Sequence, residues 1–153
     1  MPNFNQSTRN MLASIALGIR VDRATDNITT GESLFTVAGG NVLMTYILGE
    51  VTTIIETKVV NFKLVSTPTV GTATDLCGNL DLSADEVGSL YTISGAVATA
   101  MQRGESGSVI GQLYPVAVAP GTIDATVGAT HTGSIKWSLW YLPLEDGASV
   151  AAA

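Results

Sequence analysis

The chain has 153 residues, 46% of them hydrophobic and only 13% charged, with 13 acidic against 7 basic side chains and a net charge of −6 at pH 7. That length fits one domain, large enough to bury a core without metal or disulfide staples. Scattered basic residues (Arg9, Arg20, Arg23, Lys58, Lys63, Arg103 and Lys136) argue against nucleic acid and against an anionic membrane surface, because both need clustered positive charge.

In chain order, residues 1–30 read as an N-terminal arm, helical or extended. Ser7 or Thr8 caps a short helix over Asn10 to Leu17, and Met11, Leu12, Ile15 and Ile19 fall near one helical stripe. Met11 to Ile19 is too short to span a membrane. It is followed by Arg20, Asp22 and Arg23 rather than a clean cleavage site, so it is taken as part of the mature chain. Arg20 to Gly31 has a loop composition. Such an arm is either a frayed terminus or a segment that a partner orders.

Residues 31–144 read as a β domain. Ser33 to Val37 alternates, Ala38-Gly39-Gly40-Asn41 is turn chemistry, and Val42 to Leu48 follows, so residues 33–48 read as a hairpin. Val51 to Ile55 and Val59 to Ser66 continue the strands, with Phe62 and Leu64 facing one way. Ser83-Ala84-Asp85-Glu86 matches a capping box and predicts one helical turn. Leu90 to Ser94 is a strand, Gly95 to Met101 is strand or helix, and Gly104 to Gly111 is a surface loop. Tyr114 to Ala119 runs to the Pro120-Gly121 turn, and Thr122 to Val127 directs Ile123, Ala125 and Val127 inward. A loop at 128–133 leads into Ser134 to Leu142, whose Ile135, Trp137, Leu139 and Tyr141 share one face. Residues 145–153 form a C-terminal tail with no evident anchor. The fold class predicted is all-β, an antiparallel β-sandwich or barrel.

The chemistry-bearing residues are sparse. Cys77 is the single cysteine, which excludes an intrachain disulfide, and reads as a small buried side chain. His131 is the single histidine and reads as a solvated loop residue. Asp81, Asp85 and Glu86 lie close enough to suggest calcium, yet they lack the glycine and ligand order of an EF-hand loop. No Gly-x-Ser-x-Gly elbow occurs, since Gly104-Glu105-Ser106-Gly107 has the wrong spacing. The expectation is therefore no catalytic residue, no metal and no cofactor: a protein that is not an enzyme.

Three features point to assembly instead. A charge fraction about half the usual one leaves apolar surface to be hidden against partners. Val42 to Leu48 is apolar on both faces, with Val42, Met44, Tyr46 and Leu48 on one and Leu43 and Ile47 on the other. Trp140 and Leu142 lie on the polar side of the last strand, with Lys136 and Ser138. Leu43, Ile47, Trp140 and Leu142 are the interface candidates.

The segments LFTVAGGNVLMTYILGEVTT (residues 34–53) and GSIKWSLWYLPLEDGASV (residues 133–150) resemble small structural proteins of tailed bacteriophages. The resemblance covers a limited part of the chain and rests on turns and strands rather than catalytic signatures. It implies a virion protein made in the host cytoplasm and carried on the capsid surface. The implied role is a capsid decoration or cement protein that binds major capsid subunits as a homo-oligomer, a trimer by analogy. A tail, neck or baseplate component is the alternative within the virion, and a carbohydrate-binding β-sandwich using Trp137, Trp140 and Tyr141 is the alternative outside it.

Overall fold

A computed structural model describes Ser7, Met11 and residues 15–58, 60–105 and 107–153. Among these residues the chain forms twelve strands: β1 (Ile19–Ile28), β2 (Glu32–Ala38), β3 (Val42–Thr53), β4 (Asn61–Pro68), β5 (Thr74–Asp75), β6 (Leu80–Asp81), β7 (Leu90–Thr92), β8 (Gln102–Gly104), β9 (Val116–Val118), β10 (Gly121–Val127), β11 (His131–Pro143) and β12 (Ser149–Ala152). They make two antiparallel sheets facing each other as a sandwich. One sheet runs β1-β11-β3-β7-β8, with β9 also on β3; the other runs β12-β2-β10-β4-β5, with β6 also on β4.

The inner faces follow from alternation. On β11, Ile135, Trp137, Leu139 and Tyr141 are buried, and on β10, Ile123, Ala125 and Val127 are. Phe62 and Leu64 of β4, next to β10 in its sheet, face the β11 residues from the opposite layer. The Trp137 indole stacks on Phe62 across the core, with ring centroids 5.8 Å apart and planes 9° from parallel. Gly49, paired with Trp137 on the neighbouring strand, makes room for it: a Cβ at Gly49 would lie 2.7 Å from the indole carbons.

Several connections differ from what turn chemistry alone predicts. Ala38 to Asn41 does reverse the chain, but β2 and β3 belong to different sheets, so residues 33–48 form an arch rather than a hairpin. The reason lies in what the turn rests on. Gly39 and Gly40 hold positive φ, a Cβ on Gly39 would strike the Gly147 carbonyl, and the Asn41 amide donates to Glu145 Oε1 at 3.1 Å. The turn is thus docked on the β11–β12 connection. The loop at 128–130 likewise carries the chain from β10 to a different sheet at β11.

Both ends of the chain also join the sandwich. Arg20 to Gly31, expected as loop, is mostly strand β1, paired along β11 from Ile19↔Tyr141 to Ile28↔His131. The polar composition there suits an edge strand, and Arg23 reaches between the sheets to form ion pairs with Asp26 at 3.1 Å and with Glu32 on β2. The tail expected at 145–153 is anchored too, because Ser149–Ala152 pairs with β2. The body therefore begins at β1 and runs through β12, wider at both ends than residues 31–144. Ser7, Met11 and Ile15 to Leu17 are helical, and the rest of the stripe expected before Ile15 lies outside the described residues.

The middle segment departs in two places. Residues 83–84 and 87–88 form turns in place of a helical turn, and Ala84 sits at φ 62°. Ser83 donates not to a helix end but to Asp81, through its backbone N–H at 3.0 Å and its hydroxyl at 3.1 Å. Residues 95–101 are neither strand nor helix; they form a turn with an isolated bridge between Gly78 and Ala100.

If the Trp137 stack sets the packing of the two layers, filling the space at Gly49 is costly. Gly49→Val is expected to lower stability by about 1–3 kcal/mol through overpacking. Trp137→Ala is expected to cost about 3–5 kcal/mol through the cavity it leaves. Urea unfolding of both variants measures these losses.

Candidate interaction surface

The outer face of the sheet that contains β3 and β11 holds the interface candidates, and its rows can be read directly from strand register. Position 140 of β11 pairs with Arg20 on β1 and with Tyr46 on β3. Position 142 pairs with Leu43, which in turn pairs with Ala117 of β9. A register shift between Trp140 and Tyr141 makes Thr45 an extra residue on β3. The bulge flips the alternation of β3. Val42, Met44, Ile47 and Val51 point into the core, while Leu43, Tyr46 and Leu48 point outward.

Three of the four candidates thus share the outer face and one does not. Leu43 and Trp140 are half-buried there and Leu142 is 40% exposed. Ile47 is fully buried, which corrects its assignment as an interface residue. Strict alternation from Val42 placed Ile47 beside Leu43; one extra residue at Thr45 reversed it. The Thr92 hydroxyl closes the inner side by donating to the Ile47 carbonyl at 2.5 Å.

The face is graded along the strands. At its polar end Lys136 pairs with Glu50 at 2.8 Å and Thr25 bonds Thr52 at 3.2 Å. In the middle, Ser138 donates to Asp22 at 2.6 Å and Arg20 pairs with Asp22 at 2.7 Å. Burial alone raises the Asp22 pKa, but the bonds from Ser138 and Arg20 outweigh it and leave the carboxyl below its ordinary value. Arg20 also lies over the Trp140 ring, 5.1 Å from its centroid, and Tyr46 tilts against the same ring at 5.4 Å. The indole is therefore partly covered by its own neighbours. At the far end the row Leu142–Leu43–Ala117 has no charged member.

The N-terminal segment joins the body at this apolar end. A Cβ on Gly18 would strike the Tyr141 carbonyl and come within 3.0 Å of Leu142 Cδ2, and φ at Gly18 is +92°, so only glycine fits. One residue earlier, the Leu17 carbonyl accepts a hydrogen bond from the Thr45 hydroxyl on β3. The chain thus crosses β11 as it enters β1. Leu17 and Ile19 are exposed beside it. Sequence reading missed Gly18 and Thr45, since a lone glycine before a polar segment and one threonine in a strand carry no signal without the pairing partner.

The remaining singled-out residues serve the fold. Cys77 is buried, with its sulfur accepting from the Leu64 amide at 3.4 Å; burial is the main cause that pushes its pKa up to about 11. His131, expected on a solvated loop, is only 3% exposed at the start of β11. The loop before it is pinned because the Thr132 amide donates to Glu56 Oε1 at 2.9 Å. Asp85 is 6% exposed and accepts from the Tyr91 hydroxyl at 2.5 Å and from Arg103 at 3.0 Å. Asp81 accepts from the Val60 amide at 2.9 Å. Among the described residues no three His, Cys, Asp or Glu side chains gather as a metal site. No protein family, no curated protein and no solved structure matches the chain.

Two outcomes are expected of these buried groups. Cys77 should resist a thiol reagent at pH 8 in the folded protein and react fully in urea, which a colorimetric thiol assay follows. Burial raises the Asp85 pKa above its ordinary value despite Tyr91 and Arg103. A raised carboxyl pKa contributes stability below the unfolded-state value that is lost as pH rises through the folded-state value. The stability of Asp85→Asn relative to the parent should therefore increase between pH 3 and pH 7 in urea titrations.

Proposed function

We propose that this protein is a virion structural protein of a tailed bacteriophage. Its most concrete role is capsid decoration, stabilising the shell by binding major capsid subunits as a homo-oligomer. The observation that carries the assembly role is the graded outer face, charged at one end and apolar at the Leu142–Leu43–Ala117 row where the N-terminal segment leaves the body. Contiguous exposed apolar surface on a small domain marks an interaction site. The resemblance of residues 34–53 and 133–150 to phage structural proteins supports the virion setting. Such a role needs buried contact area and shape rather than positioned nucleophiles or acids.

Sugar binding is less well supported. A stacking platform needs an open aromatic face, whereas Trp140 is taken by Arg20 and Tyr46 and Trp137 is in the core.

The test is the purified particle. Quantitative mass spectrometry is expected to find this chain at a copy number set by shell symmetry. A few copies per particle would move it to the tail, neck or baseplate, and none would sink the virion reading. The exposed substitution Leu142→Asp is expected to reduce particle occupancy at least about tenfold while shifting the unfolding free energy by no more than about 0.5 kcal/mol, as surface changes do.

A further inference from the structure

We propose that a cleft at the end of the sandwich opposite the apolar row receives a lysine side chain presented by the protein that this chain binds. This rests on the assembly role proposed above for there being such a protein, and it names what that protein must present.

The cleft opens where the ends of β1 and β3 meet the start of β11, near the pairs Ile28↔His131 and Thr53↔Ser134. Its volume is about 550 Å³, within the range of ligand sites. Thr29, Thr53, Thr130 and Thr132 line it, together with Asn27 and Glu56. Each threonine offers a hydroxyl oxygen and a methyl group. Asn27 adds a carbonyl oxygen and Glu56 a carboxylate. Among the described residues no lysine, arginine, tyrosine or tryptophan lines the cleft. An anion would find no cation there, and a sugar no aromatic face. A lysine suits both kinds of lining. Its aliphatic stem can lie against threonine methyls. Its ammonium has only donors and needs several oxygens around it.

The walls are tied in place. The Thr132 amide donates to Glu56 Oε1 at 2.9 Å, and the Glu56 amide donates to the Thr132 carbonyl at 3.3 Å. Across the cleft, the Ser134 hydroxyl donates to Asn27 Oδ1 at 3.3 Å. Gly133 lets these elements close up, since a Cβ there would lie 2.9 Å from Ile55 Cα. The Thr132 bond also selects the head group. With Oε1 already engaged, the carboxylate does not offer both oxygens to a guanidinium fork. A compact ammonium needs one carboxylate oxygen and hydroxyls beside it.

Charge agrees with this choice. The chain carries −6 overall. The cations on the adjoining strands are held by other acids, Arg23 by Asp26 and Glu32 and Lys136 by Glu50. The cleft is also far from the apolar row. His131 and Leu142 are separated by most of β11, about 36 Å at roughly 3.3 Å per residue. The two contacts can therefore be altered independently.

The test uses the full chain and Nα-acetyl-lysine methylamide as the probe. An amide NMR titration is expected to give saturable shifts confined to residues 27–29, 53–56 and 130–134, with a Kd of about 1–10 mM. The same probe acetylated on its ε-nitrogen keeps the stem and loses the charge. It is expected to bind at least about fivefold more weakly. Glu56→Gln keeps an oxygen for the Thr132 amide and removes the charge. It is expected to weaken the lysine probe by at least about fivefold with an unchanged unfolding midpoint. Thr53→Lys, at an exposed strand end, supplies the chain's own ammonium and is expected to abolish binding. Equal affinity for the two probes, or shifts scattered over other surface acids, would overturn the site. In the particle, Glu56→Gln is expected to lower occupancy at least about threefold. Full occupancy despite probe binding would overturn the lysine as the partner's contact, while the parent's copy number decides the virion role separately.

Discussion

The stack of Trp137 on Phe62 is the contact on which the rest of the sandwich depends. An indole is the largest side chain available to a core, and here it spans from one sheet to the other. Its partner strand must then present nothing at the facing position, which is why Gly49 interrupts an otherwise bulky β3. With the two layers held at that separation, Ile123, Leu64, Leu139 and Ile47 fill the remaining space from both sides without exposure. The outer face inherits its register from this arrangement. Because Trp137 points inward, Lys136, Ser138, Trp140 and Leu142 are all turned out.

A sandwich has edges, and this one treats them by composition. β1 is long, but it carries Arg20, Asp22 and Asp26 and is bent by a register shift between Arg23 and Asp26. Charges and bulges discourage edge-to-edge pairing. β12 is short and lies beside β1 on the same flank. Protected edges direct any association toward the faces, and the apolar end of the outer face is where the strands offer most. The N-terminal segment leaves at that end because Gly18 tolerates the crossing over β11 that no other residue would.

The candidate surface was partly legible in the sequence. Trp140 and Leu142 were assigned outward by alternation from Trp137, and register places them there. Leu43 faces outward as alternation from Val42 predicts. Ile47 was not, because a bulge at Thr45 inserts one residue and reverses the side-chain period beyond it. This bulge arises from pairing with a partner strand 95 residues away, so local pattern carries no trace of it. His131 and Arg23 failed in a related way. Both are polar residues near glycine or threonine, which locally reads as loop, yet His131 is buried and the Arg23 side chain is held against Glu32 of the other sheet.

What the sequence by itself determined is the class of structure and its inside. Alternation with period two, β-branched residues and turn glycines specify strands and their inward sides wherever no bulge intervenes. Those are properties of residues next to one another in the chain. Which strands pair was decided only by tertiary structure. The Ala38–Asn41 turn carries the signals of a hairpin, yet the chain arches between layers because the turn docks on Glu145 and Gly147. A turn residue sets the local φ and ψ; it does not choose the sheet that the next strand joins. That choice is made by the total burial of both inner faces. The same choice brought Ala117, Leu43 and Leu142 into one row and Gly18 and Thr45 to its margin.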